Sequence, residues 1–345
     1  MSAETRKPVI DERKAAVLRA IVEEYVATAQ PVGSQTIAQG RDLGVSAATV
    51  RNDMGVLERE GYIAQPHTSA GRVPTDLGYR YYVDHFASGA LLSAPERREV
   101  SDFFHTTGRV VEDLLHETSQ LLARLTDHAA VVVGPQPEAV RVRSAQIVMI
   151  QPRVLLVVAV LSNGSVEKDT VHLDEDADEA TVDAASAMLN RLLSGSALSE
   201  IEVPEPGDAV PPDPALPIVA DACRAMSRRA SAVEPVFIGG AGHLAAEHEA
   251  FPTAATPARL LDLLEQHVVV VSVVRELLGP GLTVRIGTEN ERDDLRECSL
   301  VLAPYLVEGE AAGSVGLVGP TRMDYRRAHA AVTAVSRMLG RRLTT

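Results

Sequence analysis

Tryptophan is absent from this 345-residue chain, and Tyr and Phe together number 12. Cysteine is scarce: Cys223 and Cys298 form no CxxC or Cys/His cluster, so the spacing offers neither a disulfide framework nor a cysteine-based zinc site, and a reduced setting is expected. Long apolar runs are missing too. The longest, Val154–Leu161 and Val268–Val271, fall far short of a bilayer span. The opening stretch MSAETRKPVIDERK is charged and has no apolar core, which predicts no cleavable signal and a cytoplasmic location. A chain that is 46% hydrophobic and 23% charged suits a globular protein with two or three domains.

Net basic charge is also lacking. The formal charge is −14, which at first argues against nucleic acid. Its distribution alters that inference. Residues 1–85 hold 10 Lys/Arg against 11 Asp/Glu, whereas residues 86–345 hold 23 against 36. The acid lies almost wholly outside the N-terminal quarter, and that quarter carries the most informative stretch, Ser46–Thr75.

Ser46 is placed to cap a helix. Val50, Met54 and Leu57 recur at spacings of four and three and share one face, while Thr49, Arg51, Asn52 and Arg59 point elsewhere. Gly61 suits a left-handed helix end. Tyr62–Gln65 then reads as a short strand before a turn rich in Ser, Gly and Pro. Two helices come first. Asp11–Thr28 places Val17, Leu18, Ile21, Val22 and Tyr25 on one face, and SQTIAQ begins at Ser34. Three helices followed by a hairpin match the plan of a winged helix-turn-helix. Arg51 and Asn52 carry the groups that pair with guanine and adenine edges; the competing reading for Arg51 is a pair with Asp53. His67, Thr68, Ser69 and Arg72 offer small donors and one cation on a hairpin tip.

Beyond it, Leu77–Ala87 concentrates Tyr79, Tyr81, Tyr82 and Phe86, which at helical spacing favours packing between domains over base stacking. Ser88–Pro95 reads as a hinge, and Pro95–Asp127 as a long helix or helix pair. From Ala129 β-branched runs predict a sheet, with a hairpin turn at Ser162–Ser165. Asp174–Asp183 alternates carboxylates but lacks the glycine of a calcium loop, so a solvated helix start is preferred. Pro204–Pro217, with six prolines, predicts irregular chain. Gly240, Gly242 and Ala245 fit GxGxxA, yet Asp262 falls inside a helical pattern instead of at a strand end. His243 and His248 are five apart, off the spacing of a helical zinc pair. Strands LTVRIGT and SLVLAPYL, a further strand GSVGLV and a final helix from Tyr325 complete an α+β multidomain pattern. Glu289, Arg322 and Asp324 form no nucleophile–base–orienter set; no enzyme activity, cofactor or metal is expected.

PVGSQTIA, RNDM, QPHTSAGR-P-T, VRIGTEN and GPTRMDY together resemble the HrcA family of heat-inducible transcription repressors, and they run from the N-terminal helices to the last helix. The resemblance implies a winged helix over residues 1–87, a GAF-like domain over 88–173 and 246–345, and an inserted dimerising domain over 174–245. It implies a homodimer on double-stranded DNA at an inverted-repeat operator before chaperone operons. It also implies activity sustained by the GroEL chaperonin and lost when heat occupies that chaperonin with unfolded protein. On that reading Arg51 and Asn52 read bases, Gln35, Arg59 and Arg72 hold phosphates, and Ser46, Thr49, His67, Thr68 and Ser69 line the interface. Two alternatives differ in class. One is a winged-helix regulator with a metabolite held by Glu289, Asn290 and Arg322; the other is an enzyme using the GGAG loop.

Overall fold

The computed structural model describes residues 10–344 apart from 41–43, 68–69, 107–109, 136–140, 163–165, 198–199, 205–212, 231–234, 247–249, 252 and 254. Asp11 caps α1 (Glu12–Thr28) by accepting from the Lys14 backbone N–H at 2.9 Å, and Val17, Leu18, Ile21 and Val22 are buried along it. The helices α2 (Ser34–Gly40) and α3 (Ala47–Arg59) follow. Gly61, at φ +83°, turns the chain out of α3. A minimal antiparallel ribbon then pairs β1 (Ile63–Ala64) with β2 (Val73–Pro74). The expected strand 62–65 is cut to two residues, and the Gln65 side chain beyond it donates to the Ala70 carbonyl at 3.1 Å. An isolated bridge between Val32 and Arg72 ties the ribbon to the α1–α2 loop.

Thr75 starts α4 (Asp76–Tyr82), which continues as a wider turn over Val83–Ala87. Tyr79 and Tyr82 are buried, and the Tyr79 ring lies 5.5 Å from that of Tyr325, as the packing reading of this aromatic cluster requires. The expected hinge at 88–95 is anchored: Ala87 and Leu92 belong to a continuous apolar core that runs from α1 into the C-terminal half. The boundary placed at residue 87 therefore cuts through packed side chains. The 95–127 segment is a helix pair, α5 (Ala94–Thr106) and α6 (Val111–Thr126), and its apolar face is buried inside the chain.

A five-stranded antiparallel sheet has the order β7-β3-β10-β9-β8, with β3 (Ala129–Val133), β7 (Val236–Gly239), β8 (Thr283–Ile286), β9 (Cys298–Val307) and β10 (Glu310–Pro320). Packed with it are α6, α9 (Ala241–Ala246), α10 (Thr256–Glu265), α11 (His267–Leu277) and the last helix, α12 (Tyr325–Thr344).

The inserted unit is larger than residues 174–245. Among the described residues the strands β4 (Val142–Gln151), β5 (Val154–Leu161) and β6 (Val166–His172) form a three-stranded sheet of their own, and α7 (Glu179–Leu193) and α8 (Ala215–Ala230) cover one face of that meander. Residues 142–226 supply a separate apolar core. Conversely β7, assigned by sequence to the insert, pairs with β3 in the larger sheet. Because β3 and β7 are adjacent strands, everything between them is one excursion from that sheet. Strand-like periodicity identifies β4–β6 but not their partners; short connections decide the pairing in favour of their own meander. The residues 163–165 of the expected hairpin turn lie outside the described residues, as does much of the proline run. Pro217 nonetheless sits in the first turn of α8, where its missing N–H costs nothing.

The N-terminal unit docks on the open edge of the larger sheet. Arg80 of α4 donates to the Glu289 carboxylate through Nε at 2.7 Å and through a second guanidinium nitrogen, which also donates to the Val284 carbonyl at 2.7 Å. Glu289 in turn accepts from the Ile286 N–H at 2.9 Å. Asp76 accepts from the Thr288 N–H and hydroxyl at 2.9 and 2.8 Å. A Cβ at Gly287, which has φ +53°, would fall on the Asp76 carboxylate, so this approach needs glycine twice over. Arg322 donates to the Val26 carbonyl of α1 at 3.2 Å.

The separate core of the insert makes a specific expectation. Leu189 is fully buried within it. Leu189→Ala should remove about 2–5 kcal/mol from that unit. Scanning calorimetry should then show an early transition split from the main one; a single unsplit transition would mean that the two cores unfold together.

Candidate nucleic-acid interface

The local chemistry of α3 sets what it presents. Ser46 Oγ accepts from the Thr49 N–H at 3.2 Å, so a donor at the helix start is satisfied. Thr49 Oγ1 also lies 3.0 Å from Ser46 Oγ. Val50, Met54 and Leu57 are buried beneath the helix, as their spacing predicts. Arg51, Asn52 and Arg59 are exposed on it. The competing pair for Arg51 does not form: Asp53 is only 3% exposed and accepts instead from Arg13 of α1, at 2.8 and 3.0 Å. Asp53 therefore clamps α3 to α1 and leaves Arg51 and Arg59 without an ion pair among the described residues. Gln35 is exposed on the first turn of α2.

The ribbon departs from its expected role at one position. Arg72 is not at the tip. Its side chain, 23% exposed, pairs with Glu58 of α3 at 2.9 Å. Its backbone exchanges hydrogen bonds with Val32 at 2.8 and 2.9 Å. It braces the ribbon against α3 and the α1–α2 loop, so the guanidinium expected to meet a phosphate is engaged by a carboxylate of the chain in this structure. Gly71 permits the approach, since a Cβ there would lie 2.5 Å from the Val32 carbonyl oxygen. His67 is exposed, and its carbonyl accepts from the Ala70 N–H at 2.9 Å. Thr68 and Ser69 lie outside the described residues.

The three residues expected to hold a metabolite are occupied by the fold. Glu289 and Arg322 join the N-terminal unit to the sheet, as above. Asn290 is buried and donates to the carbonyls of Gly287, Leu295 and Cys298 at 3.0, 3.0 and 3.1 Å. The GGAG loop is likewise structural. A Cβ at Gly239 would clash with the Ser119 backbone of α6, and the helix that follows spans only six residues. Sequence reasoning missed the clamps Arg13–Asp53 and Glu58–Arg72. The one available signal was a carboxylate, Asp53, on the otherwise apolar face of α3.

A short helix with exposed cationic and amide side chains, beside a braced ribbon, defines a surface of the class found in transcription regulators. The comparisons agree. The family model described as HrcA protein C terminal domain matches residues 112–328. A heat-inducible transcription repressor HrcA from Nocardioides sp. is 42% identical over 96% of this chain and 98% of its own length. One from Nocardia farcinica is 38% identical over 96% of both. A crystal structure described as that of a hypothetical protein superposes with TM-score 0.63 at 26% identity, covering 97% of this chain and 98% of that one. The chain belongs to the HrcA family of heat-inducible transcription repressors. Among the described residues no helix is long and apolar enough to cross a membrane.

Gly55 lies one turn beyond Arg51, in the interior of α3, and a Cβ there would meet nothing within 4 Å. Helix-interior glycine costs about 0.5–1 kcal/mol relative to alanine. Gly55→Ala should therefore raise stability by that amount in denaturant unfolding. A loss of stability would show that α3 is packed more tightly than its surroundings indicate.

Proposed function

We propose that the chain acts in the cytoplasm as a homodimeric repressor of chaperone operons, with a winged helix-turn-helix that binds an inverted-repeat operator in double-stranded DNA. The observation that carries this reading is the pairing pattern on α3. Asp53 and Glu58 are each taken by an arginine of another element, Arg13 and Arg72, while Arg51, Asn52 and Arg59 stay exposed. In this reading Arg51 and Asn52 make paired bonds to purine edges in the major groove. Gln35, Thr49 and Arg59 hold flanking phosphates, Ser46 starts the helix, and the turn carrying His67, Thr68 and Ser69 approaches the neighbouring groove or backbone.

An inverted repeat calls for two copies related by a two-fold axis. The inserted unit offers a surface for that pairing. The face of its meander away from α7 and α8 carries Val148, Ile150 and Val166, exposed at 44%, 57% and 54%. Val154, Leu156, Val158 and Val160 of β5 lie between them in the register, partly exposed. A second copy covering this row would remove it from water. The five-stranded sheet with its helices serves as a GAF-like body that joins reader and dimer. Control follows the family resemblance: the GroEL chaperonin sustains the active form, and its occupation by unfolded protein during heat releases repression.

Arg51→Ala should weaken specific operator binding by about 1–3 kcal/mol, as for one good base contact. Arg72→Ala should cost more in thermal stability than in sequence discrimination, since Arg72 already has a protein partner. Gel-shift titrations against operator and scrambled duplex separate the two effects. Unchanged operator affinity in Arg51→Ala would remove that residue from the readout.

A further inference from the structure

The contacts that seat the N-terminal unit on the sheet fall into two physical kinds. Tyr79, Tyr82, Val83, Met323 and Tyr325 form an apolar seam. Apolar contact holds two bodies together but is non-directional, so it fixes the angle between them less sharply than hydrogen bonds do. The polar set is directional and, beside the Arg322–Val26 bond to α1, is concentrated at the β8 edge. Val284 and Ile286 lie on β8, an edge strand paired with β9 on one side. On the other side the Val284 carbonyl accepts from Arg80 and the Ile286 N–H donates to Glu289. Arg80 and Glu289, joined to each other, thus fill the hydrogen-bonding places of a missing neighbouring strand. Asp76, one turn before Arg80 on α4, takes the next two donors, the Thr288 N–H and hydroxyl. Three groups along the sheet edge, the Val284 carbonyl and the Thr288 N–H and hydroxyl, meet two side chains one turn apart on a helix, and a fourth, the Ile286 N–H, meets Glu289. The wider turn Val83–Ala87 follows directly, and the reader's ribbon precedes α4 by a single residue, Thr75.

We propose that Asp76 and Arg80 are positioning residues for operator recognition: they lock α4 to the β8 edge, fix the angle of each reader, and so set the half-site spacing that a dimer accepts. This rests on the dimeric repressor reading above. Neither residue lies on α3, and neither is offered as a DNA contact. Loss of the lock should leave a folded reader able to recognise its own half-site, on a seat whose angle is no longer fixed. Spacing between paired half-sites is a geometric property of the two readers, whereas half-site sequence belongs to the reader itself, α3 above all.

The test is selection from random duplex DNA with the full chain, followed by sequencing. The native chain should enrich two inverted half-sites at one dominant spacer. Arg80→Ala and Asp76→Ala should enrich the same half-site sequence with the spacer preference lost. Asp76→Asn, whose amide oxygen still accepts from Thr288, should restore the single spacer. A single unchanged spacer in Arg80→Ala and Asp76→Ala would overturn the proposal. So would loss of the half-site sequence itself, since that places the damage in the reader and not in its seat. If the native chain enriches no paired half-sites, the repressor reading fails and this inference with it.

Discussion

A strand at the edge of a sheet leaves backbone donors and acceptors that must find partners. Strand β8 meets that constraint with a guanidinium and a carboxylate in place of a strand. The rest of the architecture depends on it. Arg80 can reach Val284 only if α4 lies alongside β8. In that place Tyr79 meets Tyr325 at the start of α12, and Asp76 comes up against Gly287. Arg322, three residues before Tyr325, then reaches the end of α1. The reader, the sheet edge and the last helix are thus mutually located by a few directional bonds within one continuous apolar core.

The same constraint explains why stretches far apart in sequence look like motifs. VRIGTEN and GPTRMDY carry Glu289, Asn290, Arg322 and Tyr325, whose polar side chains invite a ligand-site reading when each is taken alone. In three dimensions they serve the junction. Asn290 holds three carbonyls of its own loop, and Glu289 is shared between Arg80 and the β8 backbone. Gly287 is the one residue type compatible with both its positive φ and the Asp76 approach. A sequence shows residue types and spacing along the chain; it does not show that position 80 meets position 289.

This also marks how far the fold was legible. Elements with strong local signals were recoverable: the caps at Asp11 and Ser46, the helix start within the acidic run 174–183, the buried face of α3, the left-handed end at Gly61, and the aromatic seam. Strand partnership was not. The runs forming β4–β6 and those of the larger sheet have the same β-branched composition, and only the pairing β3–β7 reveals where the excursion begins and ends. For the nucleic-acid interface, exposure of Arg51 and Asn52 followed from helical periodicity. The fate of Arg72 did not, because its partner Glu58 is fourteen residues away across a turn.

Those pairings also settle how an acidic chain can present a cationic helix. Counting formal charge gives the N-terminal unit no excess of base. Yet Arg13, Arg19, Arg72 and Arg80 each sit within 4 Å of a carboxylate, and so does Lys14. Such close pairs have weak fields at a distance and are further screened by salt. Asp53 and Glu58, the two acids within α3, are paired in this way with arginines from outside the helix. Arg51 and Arg59 are then exposed cations of α3 without an ion pair among the described residues. The clamps therefore do two things at once: they hold the helix and ribbon in place, and they pair the carboxylates of α3 with cations from other parts of the chain. Structural bracing and charge pairing come from the same two ion pairs, and neither is visible in net charge.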